Sequence, residues 1–187
     1  MTQRDLVERA GRGNHDAFAV LVHGSIARLE AVARLILRDP ELARDAVQET
    51  FIRAWRDLPG LRDPERLDAW LHRLTVNACL DVARRHRRRP IEVELSPLSP
   101  PSVEDSTGLV LDRDQLERGF RQLTTDLRAI LVLHYYVGMT MPVVAETLDL
   151  PLGTAQSRLA RALALMRDTL EADAELGQTA LRKGGLA

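Results

Sequence analysis

The sequence predicts an all-α protein made of two small helical domains joined by an acidic linker rich in proline. Leu, Ala and Arg are abundant, whereas aromatic residues make up only 4% of the chain and alternating β-branched runs are nearly absent. Apolar residues instead recur at three- and four-residue steps, as they do on one face of a helix. A chain of 187 residues, 45% of them hydrophobic, is long enough for one large or two small domains.

The N-terminal half begins with two helices that have clear boundary signals. A first short helix is predicted around Asp5 to Ala10, because Gly11 and Gly13 then break the pattern. Asn14 is placed to cap a long helix that runs from His15 towards Leu37.

Two copies of the tripeptide Asp-Pro-Glu mark the next two helix starts. In each copy Asp is an N-cap candidate, Pro suits the first helical position and Glu suits the positive end of the helix dipole. They predict a helix from Pro40 to about Leu58 and another from Pro64 to about Arg88. The helices need each other to bury their apolar stripes. In the second of them the apolar face consists of Leu67, Trp70, Leu71, Leu74, Ala78 and Val82.

Two opposed charge blocks separate the two halves. Arg84 to Arg89, RRHRRR, is strongly positive, whereas Pro90 to Asp112 holds acidic residues and neither Lys nor Arg. The arginine block is either a nucleic-acid contact or a solvated helix end beside the negative dipole. The acidic stretch has four prolines and little helical periodicity, which predicts a linker over 91–111 between domains 1–90 and 112–187. The net charge of -1 does not exclude nucleic acid, because the distribution of charge matters more than its sum.

The segment TMPVVAETLDLPLGTAQSRLARAL, residues 140–163, predicts a helix-turn-helix. Thr140 and Pro142 signal a short first helix that stops near Asp149. A second helix is predicted from Leu152 to about Leu170. Its apolar stripe consists of Ala155, Leu159, Ala162, Leu163, Met166 and Leu170.

The other face of this second helix carries hydroxyls and guanidinium groups. Thr154, Ser157, Arg158 and Arg161 stand at i, i+3, i+4 and i+7, so they project together. A recognition helix offers such donors to bases and phosphates. The same pattern also fits an amphipathic hairpin with a solvated polar face, or one that packs against another protein.

Two segments flank the helix-turn-helix. A helix from about Asp126 to Val137 should buttress it, with His134, Tyr135 and Tyr136 packed in the core. The tail from Glu171 to Ala187 is expected to be a fraying extension of the last helix.

Several function classes lack support in the sequence. The histidines are scattered, and neither an HExxH, a phosphate-cradling glycine loop nor a CxxC occurs, so we expect no catalytic activity, metal, cofactor or small-molecule substrate. No apolar run approaches the roughly 20 residues that span a bilayer, and the N-terminus has no secretory segment. Cys79 is expected to be a small buried hydrophobe, which fits a reducing cytoplasm.

Three segments together resemble a bacterial sigma factor of the extracytoplasmic-function group. They are DAVQETFIRAW at 45–55, LDAWLHRLTVNACLDVARRHRRR at 67–89 and LGTAQSRLARA at 152–162. The resemblance implies a first domain, sigma-2, that binds core RNA polymerase and the minus-10 promoter element. It also implies a second domain, sigma-4, that binds the minus-35 element and the polymerase flap. The implied partners are the beta and beta-prime subunits of the polymerase, promoter DNA and an anti-sigma factor.

The 45–55 segment resembles the family's clamp-binding helix. A mixed polar face suits a protein partner. The alternative is a solvated helix face with Phe51, Ile52 and Trp55 turned to the core. The side chains that the resemblance assigns to core polymerase are Asp45, Gln48, Glu49, Arg53 and Arg56.

The third long helix resembles the part of the family that reads the exposed strand of the minus-10 element. Such capture needs an amide or carboxylate for a base edge and cations for the backbone. Asp81 is an equally good partner for Arg84 or Arg85 within the helix, and Trp70 is expected in the core. The loop 61–66 lies where the family holds the flipped base. The implied minus-10 residues are Arg62, Arg66, Asn77, Asp81, Arg84, Arg85 and Arg88.

The recognition helix departs from the family pattern at three positions. The family often has Lys or Arg at Gln156, a larger side chain at Ala160 and another Arg at Leu163. The predicted minus-35 set therefore has few cations, which predicts weak binding to that element. Asp149 also stands where a turn glycine is common, although Asp tolerates a left-handed backbone. The implied minus-35 residues are Thr154, Gln156, Ser157, Arg158 and Arg161.

The sequence thus predicts a sigma factor that directs core polymerase to promoters and assists their opening. Two other functions share some of its features. A stand-alone helix-turn-helix regulator would bind a duplex operator unaided, and a degenerate sigma-like protein would serve mainly as a protein-interaction module.

Overall fold

The protein folds into helices that form two compact units. The computed structural model describes the backbone of residues 2–88 and 116–184 and the side chains of 2–87 and 116–172. Within those ranges there is no β-strand, which agrees with the predicted all-α class. The described residues fall mainly into an N-terminal unit and a C-terminal unit. The predicted linker, 91–111, lies outside the described residues.

Four helices form the N-terminal unit: α1 (Gln3–Gly11), α2 (His15–Leu37), α3 (Pro40–Asp57) and α4 (Leu67–Arg88). Short 3-10 turns at Leu58–Gly60 and Pro64–Arg66 connect α3 to α4. The predicted caps are confirmed, because side-chain oxygens of Asn14, Asp39 and Asp63 accept backbone N–H groups of the turns that follow them. An additional capping box at Thr2 and Asp5 starts α1.

The core of the N-terminal unit lies where α2, α3 and α4 meet. α3 contributes small side chains such as Ala43, Ala46 and Ala54, none of which is exposed, so the neighbouring helices approach it closely. Trp70, predicted as core, is only half-buried. Cys79 is fully buried, as predicted, and burial raises the pKa of its thiol to about 12. The largest fully buried side chains of the unit are Leu29, Val32, Ile36, Thr50, Thr75, Val76 and Cys79.

The C-terminal unit contains a helix described over 116–122, labelled α5, followed by α6 (Thr125–Leu131), α7 (Met141–Thr147) and α8 (Leu152–Gly184). A π-helical turn at Val132–Tyr136 continues α6. The last helix continues past Leu170, in agreement with the helical extension expected for the tail, and its backbone is helical as far as Gly184.

The core of the C-terminal unit joins α6 to α8. Leu127 and Leu131 pack with Ala162 and Met166, as the helical stripes predicted. The expectation that Tyr135 and Tyr136 pack in the core is wrong, since they are 62% and 56% exposed. The π-helical turn rotates both rings outward while the preceding Leu133 stays fully buried.

Candidate nucleic-acid interface

One face of α4 carries the side chains predicted to read the minus-10 element. Asn77, Asp81 and Arg84 follow one another at four- and three-residue steps, which places them on one side of the helix. Asn77 and Asp81 are half-buried, whereas Arg84 and Arg85 are exposed. The side chain of Arg88 lies outside the described ones. The face therefore combines a partly sheltered amide with exposed cations.

Asp81 connects this face to the neighbouring helix α3. Its Oδ2 accepts a hydrogen bond from Arg53 at 3.1 Å, and its Oδ1 accepts one from Arg84 at 3.1 Å. Arg53 also donates from Nε to Glu49 at 2.8 Å. This last hydrogen bond is the main cause that raises the pKa of the Arg53 guanidinium above its ordinary value. The expected pairing of Asp81 within the helix is realised with Arg84, whereas its pairing with Arg53 of α3 was not predicted.

The predicted polymerase face of α3 divides into free and paired side chains. Asp45 and Gln48 are exposed, whereas Glu49 and Arg53 belong to the ion-pair chain just described. Arg56 pairs with its sequence neighbour Asp57, with 2.7 Å between Arg56 Nε and Asp57 Oδ1. That pair raises the pKa of Arg56 and lowers the pKa of Asp57.

The apolar side chains of α3 do not all turn to the core. Ile52 is 56% exposed, and Phe51 and Trp55 are half-buried, so that alternative is wrong for Ile52 and only partly right for the other two. With residues of α2 they line an open cleft of about 740 Å³. Trp55 stacks on His15 with 4.6 Å between ring centroids and meets the edge of Phe18 at 4.9 Å. Sequence periodicity did not distinguish this cleft from a buried stripe.

The loop 61–66, where the resemblance places a flipped base, is held by a cap and by α1. Asp63 accepts the N–H of Glu65 at 3.1 Å, and Gln3 Nε2 donates to the carbonyl oxygen of Pro64 at 3.3 Å. Arg62 and Arg66 are both exposed, and Arg66 lies 3.6 Å from a carboxylate oxygen of Asp63. Both predicted cations are thus available at the surface of a fixed loop.

In the C-terminal unit, α7 and α8 form the predicted helix-turn-helix. Asp149 adopts a left-handed backbone with φ 53°, which confirms that Asp serves at this turn in place of glycine. The N–H of Leu150 donates to the carbonyl oxygen of Ala145 at 2.9 Å and closes the turn. The α8 helix then starts with the N–H groups of Thr154 and Ala155, which donate to the Pro151 carbonyl oxygen.

The N-terminal part of α8 presents the predicted recognition face. Gln156, Ser157 and Arg161 are exposed, and Thr154 and Arg158 are half-buried. The Ser157 hydroxyl donates to the Thr154 carbonyl oxygen at 3.0 Å, which leaves its lone pairs free to accept. Neither Arg158 nor Arg161 forms an ion pair with any side chain described in this unit. Two guanidinium groups are therefore free to meet an anion.

Two family models match this chain. The model of sigma-70 region 2 matches residues 21–89, and the model of sigma-70 region 4 matches residues 113–166. The sigma factor SigM of Mycobacterium tuberculosis, of the extracytoplasmic-function group, is 34% identical to this chain. That match covers 81% of this chain and 76% of SigM. The chain belongs to the extracytoplasmic-function sigma factors. It is therefore a sigma factor, the subunit that directs RNA polymerase to promoters.

Two further relatives bear on the extent of the match. A probable sigma factor of Xanthomonas campestris, RfaY, is 33% identical, and the match covers 86% of this chain but only 42% of RfaY. The sigma factor RpoE of Bartonella quintana, solved in complex with the anti-sigma factor NepR, is 21% identical with a TM-score of 0.66. That match covers 83% of this chain and 98% of RpoE, so the two proteins share the all-α fold.

The three α8 positions that were expected to depart from the family pattern differ in their exposure. Gln156 and Ala160 are exposed, so larger or charged side chains would fit there. Leu163 instead packs against the α6–α8 core. An apolar residue at this position adds to the core in place of a surface cation.

The described residues contain no helix that is long and apolar enough to cross a membrane. Among the same residues there is no group of His, Cys, Asp or Glu that could hold a metal ion.

Proposed function

We propose that this sigma factor binds promoters at two elements, one with each of the two domains predicted above. The domain 1–90 binds core polymerase and the minus-10 element, and the domain 112–187 binds the minus-35 element. The proposal is supported by arginine side chains that reach the surface of each unit. In one they accompany the half-buried amide of Asn77, and in the other the hydroxyls of a helix-turn-helix.

Core polymerase, through its beta and beta-prime subunits, is the proposed partner of α3. Asp45, Gln48 and Arg56 are exposed and carry both signs of charge and an amide, as a specific but separable protein contact requires. Glu49 lies beside them and contributes its remaining lone pairs.

The minus-10 element is the proposed ligand of α4 and of the loop 61–66. Asn77 offers donors and an acceptor to a base edge, and its partial burial limits the orientations that it can adopt. Arg84 and Arg85, together with Arg62 and Arg66 from the loop, neutralise backbone phosphates. Arg88 extends this cationic row in the sequence.

The minus-35 element is the proposed ligand of α8. Arg158 and Arg161 bind phosphates or guanine edges, while Thr154, Gln156 and Ser157 add polar contacts. With only two cations on this face, the minus-35 contact is weak, and polymerase together with the first domain contributes most of the affinity.

The proposed partners also include an anti-sigma factor, since the RpoE fold is known in complex with one. A cytoplasmic location, where promoter DNA and polymerase are found, belongs to the same proposal. So does the absence of intrinsic catalysis, because promoter selection requires binding and no covalent bond is made or broken by the sigma factor. No cofactor or small-molecule substrate takes part.

The proposal is tested by mixing the purified chain with core polymerase and a promoter library, followed by footprinting and sequencing of the opened DNA. Opened templates should share two sequence elements and should appear only when core polymerase is present. Tight duplex binding by the chain alone, without core association or strand opening on any template, would instead establish a stand-alone regulator.

The variant Asn77→Ala tests the minus-10 assignment. It removes one amide from the surface of α4, so it should impair opening by about tenfold, as the loss of one base-specific contact does, while the Kd for core polymerase stays unchanged. Opening is measured with a fluorescent base in the minus-10 element, and binding by titration of core. Normal opening by Asn77→Ala would contradict the assignment, whereas parallel losses of opening and core binding would indicate a folding defect.

A further inference from the structure

A half-buried ion pair between α3 and α4 joins Arg53, which the resemblance assigns to core polymerase, to Asp81, which it assigns to the minus-10 element. The side chain of Arg53 is only 23% exposed, and its two hydrogen bonds, to Glu49 and Asp81, hold the guanidinium between the helices. The side chain of Arg56, one turn later, is 71% exposed. A protein docking on α3 would meet Arg56 more readily than Arg53.

Asp81 links Arg53 of α3 to the side of α4 that is proposed to face DNA. One of its carboxylate oxygens binds Arg53 and the other binds Arg84, whose side chain is 64% exposed. The charges alternate in sign from Glu49 through Arg53 and Asp81 to Arg84. A long Arg side chain has many rotamers, so fixing it before DNA arrives lowers the entropy lost on binding.

We infer that Arg53 is a positioning residue for promoter opening, which acts through Asp81 to hold the guanidinium of Arg84 ready for DNA. The inference rests on the proposed binding of the minus-10 element at α4. It assigns Arg53 to the opening step rather than to polymerase affinity. It also assigns Asp81 to the orientation of Arg84 rather than to the reading of a base.

The test uses holoenzyme assembled from the full chain and a promoter that the wild type opens. Arg53→Gln, Asp81→Asn and Arg84→Gln are made singly, and each of the first two is combined with Arg84→Gln. Two quantities are measured: the rate of opening at saturating holoenzyme, and the Kd for core polymerase. Each single variant should open the promoter about tenfold more slowly, with a core Kd within twofold of wild type, because one ordered cation is lost or released.

The double variants distinguish positioning from independent contacts. If Arg53 and Asp81 act only through Arg84, both doubles should open at the rate of Arg84→Gln alone. Multiplied losses in the doubles would overturn the inference. So would a loss of core affinity in Arg53→Gln large enough to explain its slow opening, because Arg53 would then contact polymerase directly.

Arg44→Gln is the matched control on α3. It removes an exposed Arg whose ion pair, with Glu41 one turn earlier, is local, so it should leave the opening rate at saturating holoenzyme unchanged. An equal slowing by Arg44→Gln would overturn the inference. If Arg53→Gln lowers the thermal midpoint enough to unfold part of the protein, the Asp81→Asn and Arg84→Gln cycle decides the matter, since the side chains of Asp81 and Arg84 are 37% and 64% exposed.

Failure of the inference differs from failure of the proposed function. A wild-type holoenzyme that opens no promoter contradicts the proposed function itself. Normal opening by Arg84→Gln, on a promoter that the wild type opens, contradicts both the inference and the assignment of Arg84 to DNA. Slow opening by Arg84→Gln with normal opening by Arg53→Gln contradicts the inference alone.

Discussion

The charged side chains of the two units are organised differently. In the N-terminal unit, ion pairs cross between helices: Arg53 of α3 binds Asp81 of α4, and Arg28 of α2 binds Asp68 of α4 with 2.5 Å between Nη2 and Oδ1. In the C-terminal unit, Arg158 and Arg161 pair with no side chain described there. The first arrangement fixes the position of each charge at the cost of net positive potential. The second leaves the full positive charge of both guanidinium groups on that face, without a described side chain of the unit to hold them in place.

The difference implies that the two promoter contacts proposed above would obtain their binding energy in different ways. A fixed polar surface suits the recognition of an unpaired base, which depends on exact placement. Free cations suit a duplex, where phosphate contacts and counterion release supply affinity in any sequence context. Changes to the packing should therefore be most damaging in the first unit, and changes to the charge most damaging in the second.

The largest effect is expected from Leu29→Ala, which leaves a cavity under α3 and α4. Leu29 is fully buried in α2, so its truncation should lower the free energy of unfolding by about 2–5 kcal/mol. Chemical denaturation measures this change. Val20→Ala is the control on the same helix, since Val20 is 49% exposed and its truncation should shift stability by less than about 0.5 kcal/mol. Equal effects of the two variants would contradict the packing described for this unit.

The second effect is a loss of salt-dependent affinity in the C-terminal unit. The variant Arg158→Gln with Arg161→Gln removes two free cations, so the slope of log K against log salt for a minus-35 duplex should fall in magnitude by about 2. Affinity should fall for every duplex sequence tested. Titration at several salt concentrations measures both quantities.

The converse variant adds charge to the same surface. Gln156→Arg places a cation at an exposed position of the predicted recognition face. It should increase the magnitude of the slope of log K against log salt by about 1 and tighten binding. An unchanged slope in both the removal and the addition variants would show that α8 does not face DNA phosphates.

The sequence predicts features set by local signals better than features that depend on residues far apart in the chain. The helix boundaries and caps of α2 and α3 follow from local signals at Asn14 and Asp39, and the α8 face follows from helical spacing. The Arg53–Asp81 pair joins residues that are 28 positions apart, and no periodicity within either helix predicts it. The outward rotation of Tyr135 and Tyr136 depends on a π-helical turn that the apolar pattern does not encode.

The smallest effect concerns the pH dependence of folding stability and comes from a buried histidine of the N-terminal unit. His72 of α4 is 5% exposed; its Nδ1 lies 2.8 Å from the Asp68 carbonyl oxygen, and its Nε2 has no hydrogen-bond partner among the described residues. Burial, reinforced by the nearby charge of Arg28 and opposed by Asp68, lowers the pKa of His72 below its ordinary value of 6.5.

Because His72 is harder to protonate in the folded chain, the unfolded chain binds more protons just below pH 6.5. Folding stability should therefore be fully present above that pH and fall as the pH drops below it. Denaturation midpoints between pH 7.5 and about 5 measure the change. His72→Gln should flatten this part of the profile, whereas His23→Gln, at an exposed site on α2, should leave it as in the wild type. A wild-type slope in His72→Gln would show that this buried ring does not set the acid sensitivity of the N-terminal unit.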